Sequence, residues 1–151
     1  MREFLLYVHL LGVVVWIGGG ALFAIWGGRA RRSSQPTLVI FVAETIAWLV
    51  DWVIVPAALV TLVSGVLLAV AADLAKKPPT WLMVKVGVVA IGVVLVFAVQ
   101  RPTAKALVHA LHGTGKKAGA QVPGLARRQA RTGMIAGVLA LIIIGLAVFK
   151  P

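Results

Sequence analysis

The stretch FLLYVHLLGVVVWIGGGALFAIW, Phe4 to Trp26, reads as a membrane-spanning helix. It holds no formally charged side chain except the titratable His9, and a helix of about 20 mostly apolar residues crosses the ~30 Å hydrocarbon core of a bilayer. The run closes on Arg29, Arg31 and Arg32 ahead of Pro36, a basic flank followed by a breaker. A cleaved signal peptide is the competing reading. Only Arg2, set against Glu3, precedes the run, and equally apolar runs follow it, so a retained helix is expected.

Beyond it, Thr37 to Ala72 is apolar over a length that as helix would measure about 54 Å, more than a bilayer needs. Glu44 and Asp51 interrupt its first half and Pro56 marks a kink. A crossing from about Trp52 to Ala72 is therefore expected, with 37–51 as an interfacial or projecting extension. Asp73, Lys76, Lys77, Pro78 and Pro79 form a turn, and Trp81 to Val99 makes a third crossing ended by Gln100 and Arg101. Arg101 to Arg131 is expected to be a long basic connection, with a short helix through His112 and a flexible Gly113–Gly124 piece. Thr132 to Phe149 makes the fourth crossing, and Gly133 and Gly137 at its start have the small-xxx-small spacing of close helix packing. The fold expected is all-α: a single four-helix transmembrane bundle with a long second helix kinked at Pro56.

Composition agrees. Of 151 residues 61% are hydrophobic, and the mean hydropathy is +1.03, well beyond the usual make-up of soluble domains. Cysteine is absent, which excludes disulfides, thiolate metal sites and cysteine-held iron–sulfur clusters. The net charge of +11 invites comparison with nucleic-acid binders, but the bases lie between apolar runs without interleaved aromatic residues. They are placed as topology signals and predict no nucleic-acid partner. Arg29, Arg31, Arg32, Arg101, Lys105, Lys116, Lys117, Arg127, Arg128 and Arg131 fall on one side of the four spans, and Arg2, Lys76, Lys77 and Lys150 on the other. The positive-inside bias then puts both termini outside the cytoplasm of a bacterial-type inner membrane.

An ionisable side chain within a span costs a few kcal/mol on insertion scales, about 3 for Lys at the centre, so each needs a partner or a task. His9 and Lys85 stand out, each five residues into a helix that enters from the same side, about 7 Å below its start. A neutral imidazole ligates haem iron or another metal, and a lysine at that depth salt-bridges a propionate, ligates iron when neutral, or steadies an anionic substrate. The plainer alternatives are a histidine hydrogen-bonded to a neighbouring helix and a lysine that snorkels to the interface. Trp16 follows His9 by seven residues on the same helical face, and Gly18, Gly19 and Gly20 come next, clearing space for either a flat cofactor or a neighbouring helix. Thr61, Ser64 and Gly65 make a small polar notch on the second helix. Glu44 and Asp51, seven apart, are expected to pair with the arginines at 29, 31 and 32 rather than relay protons. His109 and His112 read as solvated surface residues.

The segment His9 to Gly19, the run Pro56–Thr61–Gly65, the Trp81-Leu-Met-Val-Lys85 start of the third span and the closing Phe149-Lys150-Pro151 together resemble a superfamily of small membrane proteins. It includes copper-resistance protein D domains, HemJ-type protoporphyrinogen oxidases and a branch of predicted membrane proteins, to which Asp51-Trp52 before Pro56-Ala57 and the Lys-Pro ending are most similar. The resemblance implies haem b, with His9 as metal ligand and Lys85 as the catalytic and cofactor-anchoring residue; by their spacing after His9, Trp16 and Gly19 would then lie beside the cofactor. The arginine and histidine that follow the first helix of the HemJ-type enzymes, and the Asn-Glu before their fourth, have no counterpart in Gly27–Ser34 or Arg127–Gly133, so protoporphyrinogen oxidation itself is not implied. Copper handling is a minor alternative because Met1, Met83 and Met134 are the only soft donors. A non-catalytic subunit of a larger membrane complex, or a homo-oligomer, is the alternative from another class, with the long second helix and Gly133/Gly137 as contact surfaces.

Overall fold

A computed structural model describes residues 2–74, 76, 78–113 and 116–148, and among them there is helix and no strand. Four long helices follow one another: α1, Arg2–Arg32; α2, Pro36–Ala71; α3, Thr80–His112; and α4, Lys116–Val148. Each has a stretch long and apolar enough to cross a bilayer. Pro36 opens α2 in the first turn, where a missing N–H costs nothing. The other end of α2 closes on Asp73 in the left-handed region (φ 54°), with the Leu74 N–H on Ala69 O and the Asp73 N–H on Val70 O. That is a Schellman closure with Asp in place of the usual glycine.

Both middle helices contain a wider, π-helical turn, Val50–Ile54 in α2 and Val96–Gln100 in α3. In each the next N–H reaches back five residues, Val55 to Val50 O and Arg101 to Val96 O. The proline that follows, Pro56 or Pro102, explains the device. A proline ring inside a regular α-helix clashes with the carbonyl four residues back, and the extra residue in the turn relieves that clash without ending the helix. The bend expected at Pro56 is thus taken up one turn earlier, and the Thr37–Val50 stretch belongs to the same continuous helix. The two helices match at an offset of 46 residues: Val50 and Val96, Ile54 and Gln100, Ala57 and Thr103, and Ala58 and Ala104 are all buried.

The long connection expected from Arg101 to Arg131 is mostly helix. α3 runs on to His112 and α4 begins at Lys116, leaving Gly113 as the described part of the loop. Pro102 does not break α3 because it follows the π-helical turn, and the continuation buries Thr103, Ala104 and Ala110. The expected fourth crossing therefore starts inside a longer helix. Its last residue, Phe149, and Lys150, Pro151 and Lys77 lie outside the described residues.

Helix contacts are made largely by small residues, with Ile46, Val50, Ile54 and Val96 buried alongside them. α1 runs antiparallel to α2 and its closest packing is against Val55–Ala71; the first half of α2 meets the last part of α3, and α4 packs along both halves of α3 and along α1. Ala30, Ala43, Ala57, Ala58, Ala104, Ala110 and Ala140 are buried, while Phe4, Val14, Trp52, Ile91 and Leu141 face outward at more than half exposure. In lipid the driving force for association is close packing rather than apolar burial, so small residues inside and large ones outside is the stable arrangement. The tightest point is Gly12. A Cβ there would stand 2.6 Å from Thr61 Oγ1 and 3.3 Å from the Ala57 carbonyl and the Thr61 nitrogen, whereas a Cβ at Gly20 would meet nothing within 4 Å. Gly12→Ala is expected to cost about 1–3 kcal/mol through overpacking, read as a lowered thermal midpoint in detergent micelles, and Gly20→Ala to cost nothing measurable.

Candidate functional site

His9 projects from α1 into the notch on α2. Its Nδ1 lies 3.0 Å from the backbone carbonyl of Thr61 and 3.1 Å from Ser64 Oγ. A carbonyl only accepts, so Nδ1 carries the proton; the Ser64 hydroxyl donates its own hydrogen to the Val60 carbonyl, leaving a lone pair towards the ring. In the neutral imidazole the lone pair is then on Nε2. Gly65 completes the seat, because a Cβ there would stand 3.1 Å from His9 Cε1. The three residues of the notch each have a part: Thr61 orients the ring, Ser64 supports that bond, and Gly65 leaves it room.

Lys85 of α3 is near enough for its charge to act on the His9 ring. Their common depth also follows from a contact farther along. The edge of the Trp16 ring lies against Gly92, 3.3 Å from where a Cβ would be. Counting back seven residues along each of these two parallel helices reaches His9 and Lys85. Gly19 faces Ile54 of α2, whose Cδ1 fills the space a Cβ would need, while Gly18 is open. Of the face expected on α1, His9 and Gly19 therefore meet α2, and Trp16 reaches across to α3. Beside Gly18 and Gly19 an apolar groove of about 300 Å³ runs between α1 and α2, lined also by Val15, Leu22, Leu49 and Val53.

The acidic residues of α2 find partners on α3, not in the arginines of α1. Asp51, in the π-helical turn, accepts from Arg101 Nε at 2.6 Å and from Lys105 Nζ at 2.8 Å. Glu44 Oε1 and His112 Nε2 are 2.7 Å apart; His109 and His112 are both exposed, as expected, and His112 has in addition a carboxylate partner that the sequence did not reveal. Sequence reasoning missed these pairs because it took Arg101 onward as connection. The spacing carried the signal: 44 and 51 share one face of α2, and 101, 105 and 112 share one face of a helix continued past Pro102. Among the described residues no three His, Asp or Glu side chains gather to hold a metal ion.

These features define a four-helix integral membrane bundle in which one helix presents a histidine, oriented by the backbone of the next, level with a lysine on the third. The chain belongs to the family described as "Predicted integral membrane protein (DUF2269)", which it matches over residues 3–151. No curated protein and no solved structure matches it.

Asp51 is 22% exposed and stands between two cations, whereas Glu44 and His112 are about half exposed. Removing the carboxylate leaves Arg101 and Lys105 facing each other. Asp51→Asn is expected to cost roughly 1–3 kcal/mol and Glu44→Gln less than about 1. Thermal unfolding of the two variants checks the order, and adding Lys105→Met to Asp51→Asn should recover part of the loss.

Proposed function

We propose that the protein binds a b-type haem in the half of the bundle that carries His9 and Lys85, and serves redox or porphyrin-related chemistry in the membrane. The observation that supports this most is the hydrogen bond from His9 Nδ1 to the Thr61 carbonyl. Histidines that ligate metals characteristically donate their other ring N–H to a carbonyl or carboxylate, which fixes the tautomer and raises ligand basicity. His9 is arranged in that way, with Nε2 as the donor atom. Lys85, at the same level, would pair with a propionate, and Trp16 would form an apolar flank. The bound haem would supply one-electron chemistry; the protein's own part is to hold the imidazole, place a positive charge beside it and keep the surroundings apolar. The basic end of the bundle faces the cytoplasm in this proposal, and the haem half faces out.

The test is the absorption spectrum of protein purified after expression with ample haem. A Soret band is expected in the wild type and its loss in His9→Ala; a wild type without one, or a His9→Ala spectrum like the wild type, contradicts ligation by His9. Lys85→Met is expected to keep the native helical signal while haem retention falls, and full retention would reduce Lys85 to a topological anchor.

A second reading, an accessory subunit of a larger membrane complex or a homo-oligomer, is favoured by α4, where Gly133 and Gly137 have nothing within 4 Å of a Cβ position and Met134 and Leu141 are each 70% exposed. Native electrophoresis from gentle detergent separates the two, since migration as a monomer contradicts obligate assembly. Copper handling has the least support: Met83 and Met134 are strongly exposed and stand on separate helices.

A further inference from the structure

The end of the bundle where α1 finishes and α4 begins has more positive charge than the acidic side chains can meet. The chain has four of them, Glu3, Glu44, Asp51 and Asp73. Glu3 is in the first turn of α1 at the opposite end, Asp73 pairs with Lys76, Asp51 is taken by Arg101 and Lys105, and Glu44 by His112. Arg29, Arg31 and Arg32 on α1 and Arg127, Arg128 and Arg131 on α4 are all exposed, and among the described residues no acidic side chain pairs with any of the six. Their counter-charge must come from outside the chain.

The groove between α1 and α2 leads to this end. Val15, Gly19, Leu22, Trp26 and Arg29 follow one another at spacings of three and four, so they form one stripe along α1. Gly19 and Leu22 line the groove, Trp26 is 42% exposed, and Arg29 lies seven residues, about 10 Å, beyond Leu22. Each interfacial layer of a bilayer is about 5–8 Å thick, so a groove within the hydrocarbon places Arg29 at the level of the lipid phosphates. Arg32, three residues on, shares its face.

We propose that this groove seats an anionic phospholipid, with one acyl chain over Gly18 and Gly19, Trp26 at the glycerol level, and the headgroup phosphate on Arg29 and Arg32. The planar guanidinium fork matches a phosphate better than a lysine would. An anionic lipid fits rather than a zwitterionic one because the arginines arrive without compensating carboxylates. A second copy of the chain would bring the same arginines against these, and a haem would find only apolar side chains in the groove and no ligand for its iron. The proposal is independent of His9 and of the haem reading.

Native mass spectrometry tests it. The protein is reconstituted into vesicles of equal parts dioleoyl phosphatidylglycerol and dioleoyl phosphatidylcholine, released in mild detergent, and its retained lipids are counted. Juxtamembrane arginines contribute about 1 kcal/mol each towards anionic lipid, close to fivefold at 1.4 kcal/mol per tenfold. The wild type should therefore retain phosphatidylglycerol over phosphatidylcholine at least about fivefold. Arg29→Gln/Arg32→Gln should lower the ratio several-fold, what is left being the attraction of Arg31, Arg127, Arg128 and Arg131. Gly18→Leu, which fills the groove at a position with nothing within 4 Å of its Cβ, should do the same while the helical signal stays native. A wild-type ratio near one overturns the proposal whatever the variants do. So does a preference that is undiminished in the double arginine variant, or one undiminished in Gly18→Leu, which would mean headgroup attraction without a seated chain.

Discussion

At Gly12 the backbones of α1 and α2 come nearly into contact, and much of the site depends on that approach. No hydrophobic force draws helices together in lipid, because lipid tails are as apolar as leucine; close packing and interhelical hydrogen bonds do it instead. The Thr61 hydroxyl occupies the space that a side chain at position 12 would take, buried and without a hydrogen-bond partner of its own. One turn towards the start of α1, the same closeness lets His9 reach a main-chain carbonyl of α2. Two turns the other way it puts Gly19 on Ile54. Wider spacing here would carry the imidazole out of reach of Thr61 and free its orientation.

The second constraint is the pair of prolines. Pro56 and Pro102 would each end or sharply kink a regular helix, and in each case a π-helical turn absorbs the strain and lets the helix continue. In α2 that turn contains Asp51, and in α3 Arg101 follows it directly. The turns and the ion pairs therefore sit together, and a carboxylate within an apolar helix is compensated by two cations from its neighbour. The matching burial of α2 and α3 shows the same solution used twice.

Hydropathy made the four spans legible, and depth counting from the span starts placed His9 level with Lys85. The notch of Thr61, Ser64 and Gly65 was also visible as small and polar. Its use was not, because sequence does not say which helices are neighbours or that Gly12 lets α2 come close enough for a main-chain hydrogen bond. The extent of α3 and α4 was hidden for a different reason. Pro102, Gly113, Pro123 and a run of basic residues are the usual marks of a connection, and the helices persist through most of them because Thr103, Ala104, Ala110 and Thr132 are packed and because Asp51 and Glu44 hold the far end of α3. Reading Arg101 onward as loop also concealed the partners of both acids. The family match covers nearly the whole chain, residues 3–151.

α2 fixes the His9 imidazole with its proton on Nδ1 and its lone pair on Nε2. Solid-state nitrogen NMR of histidine-labelled protein in lipid reads this directly, with His109→Gln/His112→Gln leaving His9 as the only signal. At neutral pH the expected spectrum shows a protonated Nδ1 hydrogen-bonded to a carbonyl and an unprotonated Nε2. A ring protonated on Nε2 alone, the form preferred by free histidine in water, would contradict it.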